Sequence, residues 1–418
     1  MKYKVIGGHR LSGTIRVSGN KNSVFPCVAA ALLTEEEVIL ENISDISDVE
    51  RLIEILKKLG VEVQKSGPTL KILAREIKNT SLPKDLMGKL RGSMVLVGAI
   101  LARKNKVHFY HPGGDVIGKR SIETHLEGFK GLGVNLKRED LEFRLNYQED
   151  FKDRAIFFLE ASVTATENLI LASVLGKRDV ILKNCPKEPH IIDLCKMLTR
   201  MGAKIFGVGT DALKISGVEK LKGVKFRIGI DYVEVGTYAV AAAITGGRLT
   251  ISGIDDTDLD PIFEPLKRFG IHSDFTKDTI TIHSGKLKSV PKLTTNLWPG
   301  FPTDLMSAAI VLATQSSGVT LCHDWMYEGR MFFVDKLISM GAKIILADPH
   351  RVFVYGLSKL KGRILETPDI RAGMALVLAA LVAKGECLIN QAELIERGYE
   401  DVVGKLKKLG AQIERIDV

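Results

Sequence analysis

A chain of 418 residues is longer than one ordinary hydrophobic core organises, so its length argues for two or three domains. Hydrophobic residues at 45% and charged residues at 26% exclude a disordered chain. The longest strictly apolar run, Ala372 to Ala383, has 12 residues, short of the roughly 20 that cross a bilayer, and no apolar leader follows Met1.

In chain order, two strand-like phrases, YKVIGG and GTIRVSG, fill the first 20 residues. An apolar helix follows (VFPCVAAALL), then a short strand (VILEN), an amphipathic helix ending in LKKLG, and the strands VEVQ and TLKILA. This order recurs five more times. The apolar helices are MVLVGAILA, LILASVL, YAVAAAI, AAIVLAT and MALVLAALVA, and the short strands are VHFYHP, VILKNC, LTISG, VTLCH and CLINQ. The amphipathic helices end at Gly60, Gly133, Gly202, Gly270, Gly341 and Gly410, spaced by 73, 69, 68, 71 and 69 residues. A glycine at that place fits a left-handed helix C-cap. Helices that are apolar all round belong inside, and helices with one charged face belong nearer solvent.

Six units of this kind fit neither a doubly wound sheet nor a simple β/α barrel. They predict an α/β fold of two inside-out domains, each of three pseudo-symmetric repeats with helices inside and sheets outside. The expected division is residues 21–229 against 1–20 with 230–418, the first 20 residues supplying strands missing from the last repeat. The active site is expected in the interdomain cleft.

Polar residues collect where the apolar helices begin: Lys21-Asn22, Arg91 to Ser93, Ser162 to Thr166, Glu234 with Gly236-Thr237, Pro302 to Asp304, and Asp369 with Arg371. Helix capping accounts for Ser162, Thr237 and Thr303. It does not account for Lys21, Arg91 and Arg371, because a cation at a helix N-terminus opposes the macrodipole. An anion held by the cation and the free N–H groups resolves that conflict. The stretch HPGGDVIGKR (111–120) has P-loop spacing from Gly113 to Lys119, but Arg120 stands where a Mg²⁺-binding hydroxyl belongs. It reads either as a lid closing on an anionic substrate or as a glycine-rich turn with a solvated Asp. Arg397 in ERGYE is either a bidentate partner for carboxylate or phosphate or an ordinary exposed arginine. No His or Cys spacing suits zinc, and no metal or other cofactor is implied.

The five scattered cysteines suit a reducing cytoplasm. The net charge of +9 fits either a lysine-rich surface or an anionic partner. With 6% aromatic residues and no run of four Lys/Arg, a nucleic-acid platform is disfavoured; no membrane partner is expected either.

Taken together, SGNKN (18–22), LRGS (90–93), PGGDVIGKR (112–120), ASVTATENLILA (161–172), DYVEVGTY (231–238), FPTD (301–304), YEGR (327–330), PDIRAG (368–373) and ERGYE (396–400) resemble the enolpyruvyl transferases, in the branch that uses a sugar nucleotide. The resemblance runs from Val17 to Ile413. It implies transfer of the enolpyruvyl group of phosphoenolpyruvate to the 3′-hydroxyl of UDP-N-acetylglucosamine, the first committed step of peptidoglycan precursor synthesis. Transfer to shikimate 3-phosphate or another nucleotide sugar, or a non-catalytic sugar-nucleotide sensor, are the alternatives. Position by position it assigns phosphoenolpyruvate to Lys21, Asn22, Arg120, Arg371 and Arg397. The sugar nucleotide falls to Arg91, Arg120, Ser121, Ile122, Glu123, Thr124, Glu160, Ala161, Ser162, Val163, Asp304 and Met326. Catalysis falls to Lys21, Asp115 and Asp304, the two aspartates exchanging protons with the hydroxyl and with C3 of the enol.

The chain departs from the family's common pattern at several places. Asp115 replaces the cysteine that fosfomycin alkylates in most relatives, so the resemblance implies activity without fosfomycin sensitivity. Glu160 and Thr164 replace Lys and Gly of a Lys-x-Ser-Val-Gly phrase, and His190 and Tyr232 stand where Glu and Arg are more frequent.

Overall fold

The six apolar stretches become helices whose residues are almost all buried: Lys21–Ala31, Leu96–Lys104, Val163–Ser173, Tyr232–Ile244, Met306–Thr314 and Ile370–Val382. This is the computed structural model of the chain, and it describes residues 1–114, 117, 118, 120–147 and 153–417. Asp115, the residue expected to act as an acid, lies outside the described residues. Two compact units emerge. The first comprises 19–114 with 121–229, and the second comprises 1–18 with 230–418, joined by the described residues of 115–120.

Each unit has its own core. In the first, helices 21–31, 96–104 and 163–173 pack on one another through Val28, Leu32, Val97, Ile100, Leu169 and their neighbours. In the second, helices 232–244, 306–314 and 370–382 do the same through Val235, Tyr238, Ile310, Leu376 and Leu378. Burying each Leu or Ile stabilises the fold by about 1.5–3 kcal/mol, so alanine-rich helices with interspersed Leu and Val suffice to hold three together.

Among the described residues the strands form six sheets, three in each unit. Five have four strands in one arrangement: a parallel pair at one side and an antiparallel pair at the other. In the third, fifth and sixth repeats, the apolar helix connects the two parallel strands, as between Arg154–Phe157 and Asp179–Lys183. The first and fourth repeats exchange these strands. Ser12–Arg16 runs into helix 21–31 but pairs with Arg248–Ser252, and Lys225–Arg227 runs into helix 232–244 but pairs with Val38–Glu41. The chain therefore changes unit between a strand and its helix, at Ser18/Gly19 and again at Gly229/Ile230. Only the first of the two N-terminal strands completes the last repeat: Lys2–Ile6 lies between Glu386–Asn390 and Gln412–Ile416. The second belongs to the fourth repeat, because the parallel position there has no other strand to fill it.

All six periodic glycines have positive φ, from 85° at Gly60 to 106° at Gly202. At Gly202 the N–H bonds to Thr199 O at 3.0 Å and the next N–H, of Ala203, bonds to Leu198 O at 2.9 Å. That pair of bonds is the Schellman closure, and it recurs at Gly60, Gly341 and Gly410. A Cβ on Gly202 would meet nothing within 4 Å, whereas one on Gly60 would sit 2.9 Å from the Lys78 side chain. We expect Gly202→Ala to destabilise the chain by about 1–2 kcal/mol through backbone conformation alone. Gly60→Ala should cost at least as much. Urea unfolding of both variants checks this, and an unchanged midpoint for Gly202→Ala would remove the left-handed cap as the reason for the periodicity.

Candidate functional site

In the first unit the helix starts hold a connected polar set. Asn20 caps helix 21–31, its Oδ1 accepting the Asn22 N–H at 2.8 Å. Lys21 is 9% exposed and reaches back to Asp48, with Nζ 2.7 Å from Oδ2. Asp48 also accepts from Arg51 at 2.8 Å. The cation that opposes the helix dipole is thus partnered by a buried carboxylate, which offsets the conflict within the chain itself. Asn22 is half-buried beside it.

Arg91 opens a 3₁₀ turn, Arg91–Val95, and donates from Nη2 to Ser121 O at 2.9 Å. It is thereby tied to the segment of Ser121, Ile122, Glu123 and Thr124. Ser121 and Glu123 are exposed, Thr124 is half-buried, and Ile122 is buried. Glu123 is engaged with Arg138 at 3.0 Å. Ser162 caps helix 163–173, accepting weakly from the Ala165 N–H at 3.4 Å. Ala161, Ser162 and Val163 are half-buried at that helix start, and Glu160 is exposed. The structure joins this helix start to the 121–125 segment through a residue the sequence reading did not single out. His125 Nε2 lies 3.0 Å from Thr164 Oγ1, and its Nδ1 lies 3.0 Å from Asn168 Nδ2.

In the second unit the centre is Asp304, placed in the turn Thr303–Leu305 ahead of helix 306–314. Its Oδ2 accepts from Arg371 Nε at 3.0 Å and Nη2 at 2.8 Å, and its Oδ1 accepts from Arg330 Nη2 at 3.2 Å. Arg330 is 2% exposed and was not expected, although it ends the phrase YEGR. No local signal identifies it, because its meaning lies in a carboxylate 26 residues away. Arg371 stands over the ring of Tyr399 at 5.1 Å, and the Tyr399 hydroxyl is 3.0 Å from that of Thr237.

Asp231 and Asp369 are the caps of helices 232–244 and 370–382. Thr237 is not a cap: it donates to Val233 O at 2.7 Å, one turn back inside the helix. Thr303 is not one either, since its hydroxyl goes to Asp324. Each threonine returns its hydroxyl to a nearby carbonyl or carboxylate; at Thr237 the cap is Asp231, and the turn holding Thr303 has no side-chain cap.

Asp324 fixes Met326 through its backbone N–H at 2.9 Å. The neighbouring Tyr327 ring takes the guanidinium of Arg120 at 5.7 Å and that of Arg330 at 5.3 Å. Gly329 N donates to Ile117 O at 2.9 Å, so Ile117 and Gly118 lie on the YEGR turn. Arg397 closes the turn Ala392–Arg397 and is half-buried, two residues before Tyr399. Asp304, Arg120, Met326, Arg371 and Arg397 are therefore all present on this unit, and Asp304 and Arg371 are in direct contact.

Two residues that depart from the family pattern have structural partners. Tyr232 is buried with its ring 5.1 Å from that of Trp298. His190 is 6% exposed, and its Nδ1 is 2.8 Å from Glu167 Oε1. Burial alone would lower the His190 pKa, but the Glu167 hydrogen bond and the charges of Glu167, Glu188 and Asp193 outweigh it and raise the value. A raised folded-state pKa means the imidazolium stabilises the fold fully below about pH 6.5, and that contribution is lost as pH rises through the raised value. We expect the urea midpoint of the chain to fall over that window and the midpoint of His190→Gln to be flatter across it. Parallel pH profiles of the two would refute the pairing.

The sequence model of the family described as EPSP synthase (3-phosphoshikimate 1-carboxyvinyltransferase) matches residues 5–406. The chain is 46% identical over 422 residues to the UDP-N-acetylglucosamine 1-carboxyvinyltransferase of Borreliella burgdorferi, covering 99% of each. It is 43% identical to the enzyme of that name from Treponema denticola, again covering 99% of each. Among solved structures, the enolpyruvyl transferase NikO from Streptomyces tendae superposes with a TM-score of 0.89 at 26% identity, over 99% of this chain and 98% of that one. EPSP synthase from Acinetobacter baumannii shares the fold, with a TM-score of 0.77 at 18% identity over the whole of both chains. The six-repeat architecture, the polar helix starts and these full-length likenesses agree: the chain belongs to the enolpyruvyl (1-carboxyvinyl) transferase family and is a transferase.

Proposed function

We propose that this protein transfers the enolpyruvyl group of phosphoenolpyruvate to the 3′-hydroxyl of UDP-N-acetylglucosamine and releases phosphate. The observation that carries this reading is the full-length, 46% likeness to enzymes named for that acceptor. The corresponding likeness to the solved shikimate-branch enzyme is 18%. The reaction is the opening step of peptidoglycan precursor synthesis, which places the enzyme in the cytoplasm and in cell-wall growth. No helix among the described residues is long and apolar enough to cross a membrane.

In the addition step the acceptor O3′ loses its proton as it bonds to C2 of phosphoenolpyruvate, and C3 gains a proton. In the elimination step C3 gives that proton up, and the C2–O bond to phosphate breaks. Asp304 takes the hydroxyl proton and Asp115 serves C3. Lys21, Asn22, Arg120, Arg371 and Arg397 hold the phosphate and carboxylate of phosphoenolpyruvate. Arg91, the segments 120–124 and 160–163, and Met326 receive the sugar nucleotide. An aspartate at 115 delivers a proton but attacks an epoxide poorly, so the enzyme is insensitive to fosfomycin.

Phosphate release from phosphoenolpyruvate, measured with UDP-N-acetylglucosamine and then shikimate 3-phosphate as acceptor, tests the reading. Release only with the sugar nucleotide is expected, and release only with shikimate 3-phosphate would overturn it. Asp304→Asn should lower turnover by about 10²–10⁴. Preincubation with fosfomycin should leave activity unchanged and add no mass to the protein. Replacement of Asp115 by Cys should introduce time-dependent inactivation. A covalent adduct on residue 115 of the unaltered enzyme would contradict the assignment.

A further inference from the structure

One chain of hydrogen bonds in the first unit has a direction fixed from end to end. It begins at Asn168, fully buried in helix 163–173. Asn168 Oδ1 accepts the Gly98 N–H at 2.8 Å, and Asn168 Nδ2 donates to Met94 O at 2.9 Å. A backbone N–H can only donate and a carbonyl can only accept, so the amide has one possible orientation. The two helices come this close because residue 98 has no side chain. A Cβ there would stand 2.2 Å from the Asn168 carbonyl oxygen.

The same Nδ2 faces His125 Nδ1 at 3.0 Å, so Nδ1 must be an acceptor. His125 is 2% exposed, and burial together with the charge of Arg91 depresses its pKa to about 3. It is therefore neutral at any working pH. A neutral imidazole that accepts at Nδ1 carries its proton on Nε2. Nε2 lies 3.0 Å from Thr164 Oγ1 and donates to it. The Thr164 hydroxyl proton is thereby turned away from the histidine, and it has no acceptor among the described residues. Thr164 is half-buried in the first turn of its helix, where its backbone N–H also lacks an intrahelical acceptor. One residue thus presents two donors side by side, at the positive end of a helix dipole.

We propose that Thr164 is a further binding residue for the acceptor substrate, its hydroxyl held as a donor by the Asn168–His125 relay and directed at a phosphate oxygen of the nucleoside diphosphate. The proposal rests on the transfer reading given above for the identity of that substrate. A phosphate oxygen suits two convergent donors, and a group that can only donate does not. The nearby Glu160 supplies no cation, so neutral donors carry the attraction here.

Thr164→Val keeps the shape and the β-branch but loses the proton, and Thr164→Ser keeps the proton. Calorimetric titration with UDP-N-acetylglucosamine should show about tenfold weaker binding for Thr164→Val, and near-normal binding for Thr164→Ser. In turnover, KM for the sugar nucleotide should rise by the same factor, with kcat and the KM for phosphoenolpyruvate within twofold of the unaltered enzyme. A further titration with UDP and with uridine places the contact: the loss should appear for UDP and vanish for uridine. Binding of Thr164→Val within twofold of the unaltered protein overturns the proposal, as does an equal loss for uridine. Failure of the unaltered protein to bind UDP overturns it too. If UDP binds but no phosphate is released, the transfer reading fails, and the comparison of Thr164→Val with Thr164→Ser on UDP still decides the role of Thr164.

Discussion

Burying three apolar helices against one another is the constraint from which the rest follows. A helix surrounded by other helices and sheets can shed its side-chain polarity, but its first N–H groups still need partners. Those partners must come from the few residues at the helix start, because the flanks are apolar. The polar content of each core therefore gathers at the helix starts. Asn20, Ser162, Asp231 and Asp369 meet the requirement as caps. With the backbone satisfied by these short side chains, the longer ones beside them are free for other contacts. Arg371 follows its cap Asp369 by two residues and spends its guanidinium on Asp304, at the start of the next core helix.

The repeat arrangement was legible because it is written in local chemistry. Glycine after an amphipathic helix, at intervals near 70 residues, marks a backbone requirement that no tertiary contact can supply. The apolar helices were legible for the same reason: Ala372 to Ala383 has no polar side to misread. What escaped was pairing at a distance. Arg330 is a buried arginine only because Asp304 and the Tyr327 ring receive it, and YEGR by itself does not say so. His125 resembles any histidine on an amphipathic helix until Asn168 and Thr164 bracket it. The exchange of strands between the first and fourth repeats was also hidden. Strand Ser12–Arg16 reads the same whichever parallel partner it takes.

Thr237 and Thr303 show a second kind of blind spot. Residue type alone makes each a plausible cap, yet both hydroxyls are spent elsewhere, on Val233 O and on Asp324. At Thr237 the cap is already Asp231, whereas Thr303 is drawn away by the Asp324 carboxylate and its turn has no side-chain cap. Competition of this kind is local in space but not in pattern, so a list of preferred cap residues does not settle it.

Two of the expected anion-binding cations are paired with the protein's own carboxylates. Lys21 holds Asp48 and Arg371 holds Asp304, each pair largely out of water. Removing one partner from such a pair would leave a buried charge uncompensated. On the proposed reading, phosphate and carboxylate groups of the substrate do not fill vacant sites. They compete with carboxylates already in place, so binding is an exchange of one anion for another. For Arg371 that exchange has a chemical consequence. A carboxylate clamped by two arginines is a poor proton acceptor, because their charge favours its bare anion. On that reading, drawing Arg371 toward the substrate would loosen the clamp on Asp304 and make it a better proton acceptor. The same reading couples arrival of phosphoenolpyruvate to readiness of the base, so that the hydroxyl would keep its proton until an enol is there to receive it.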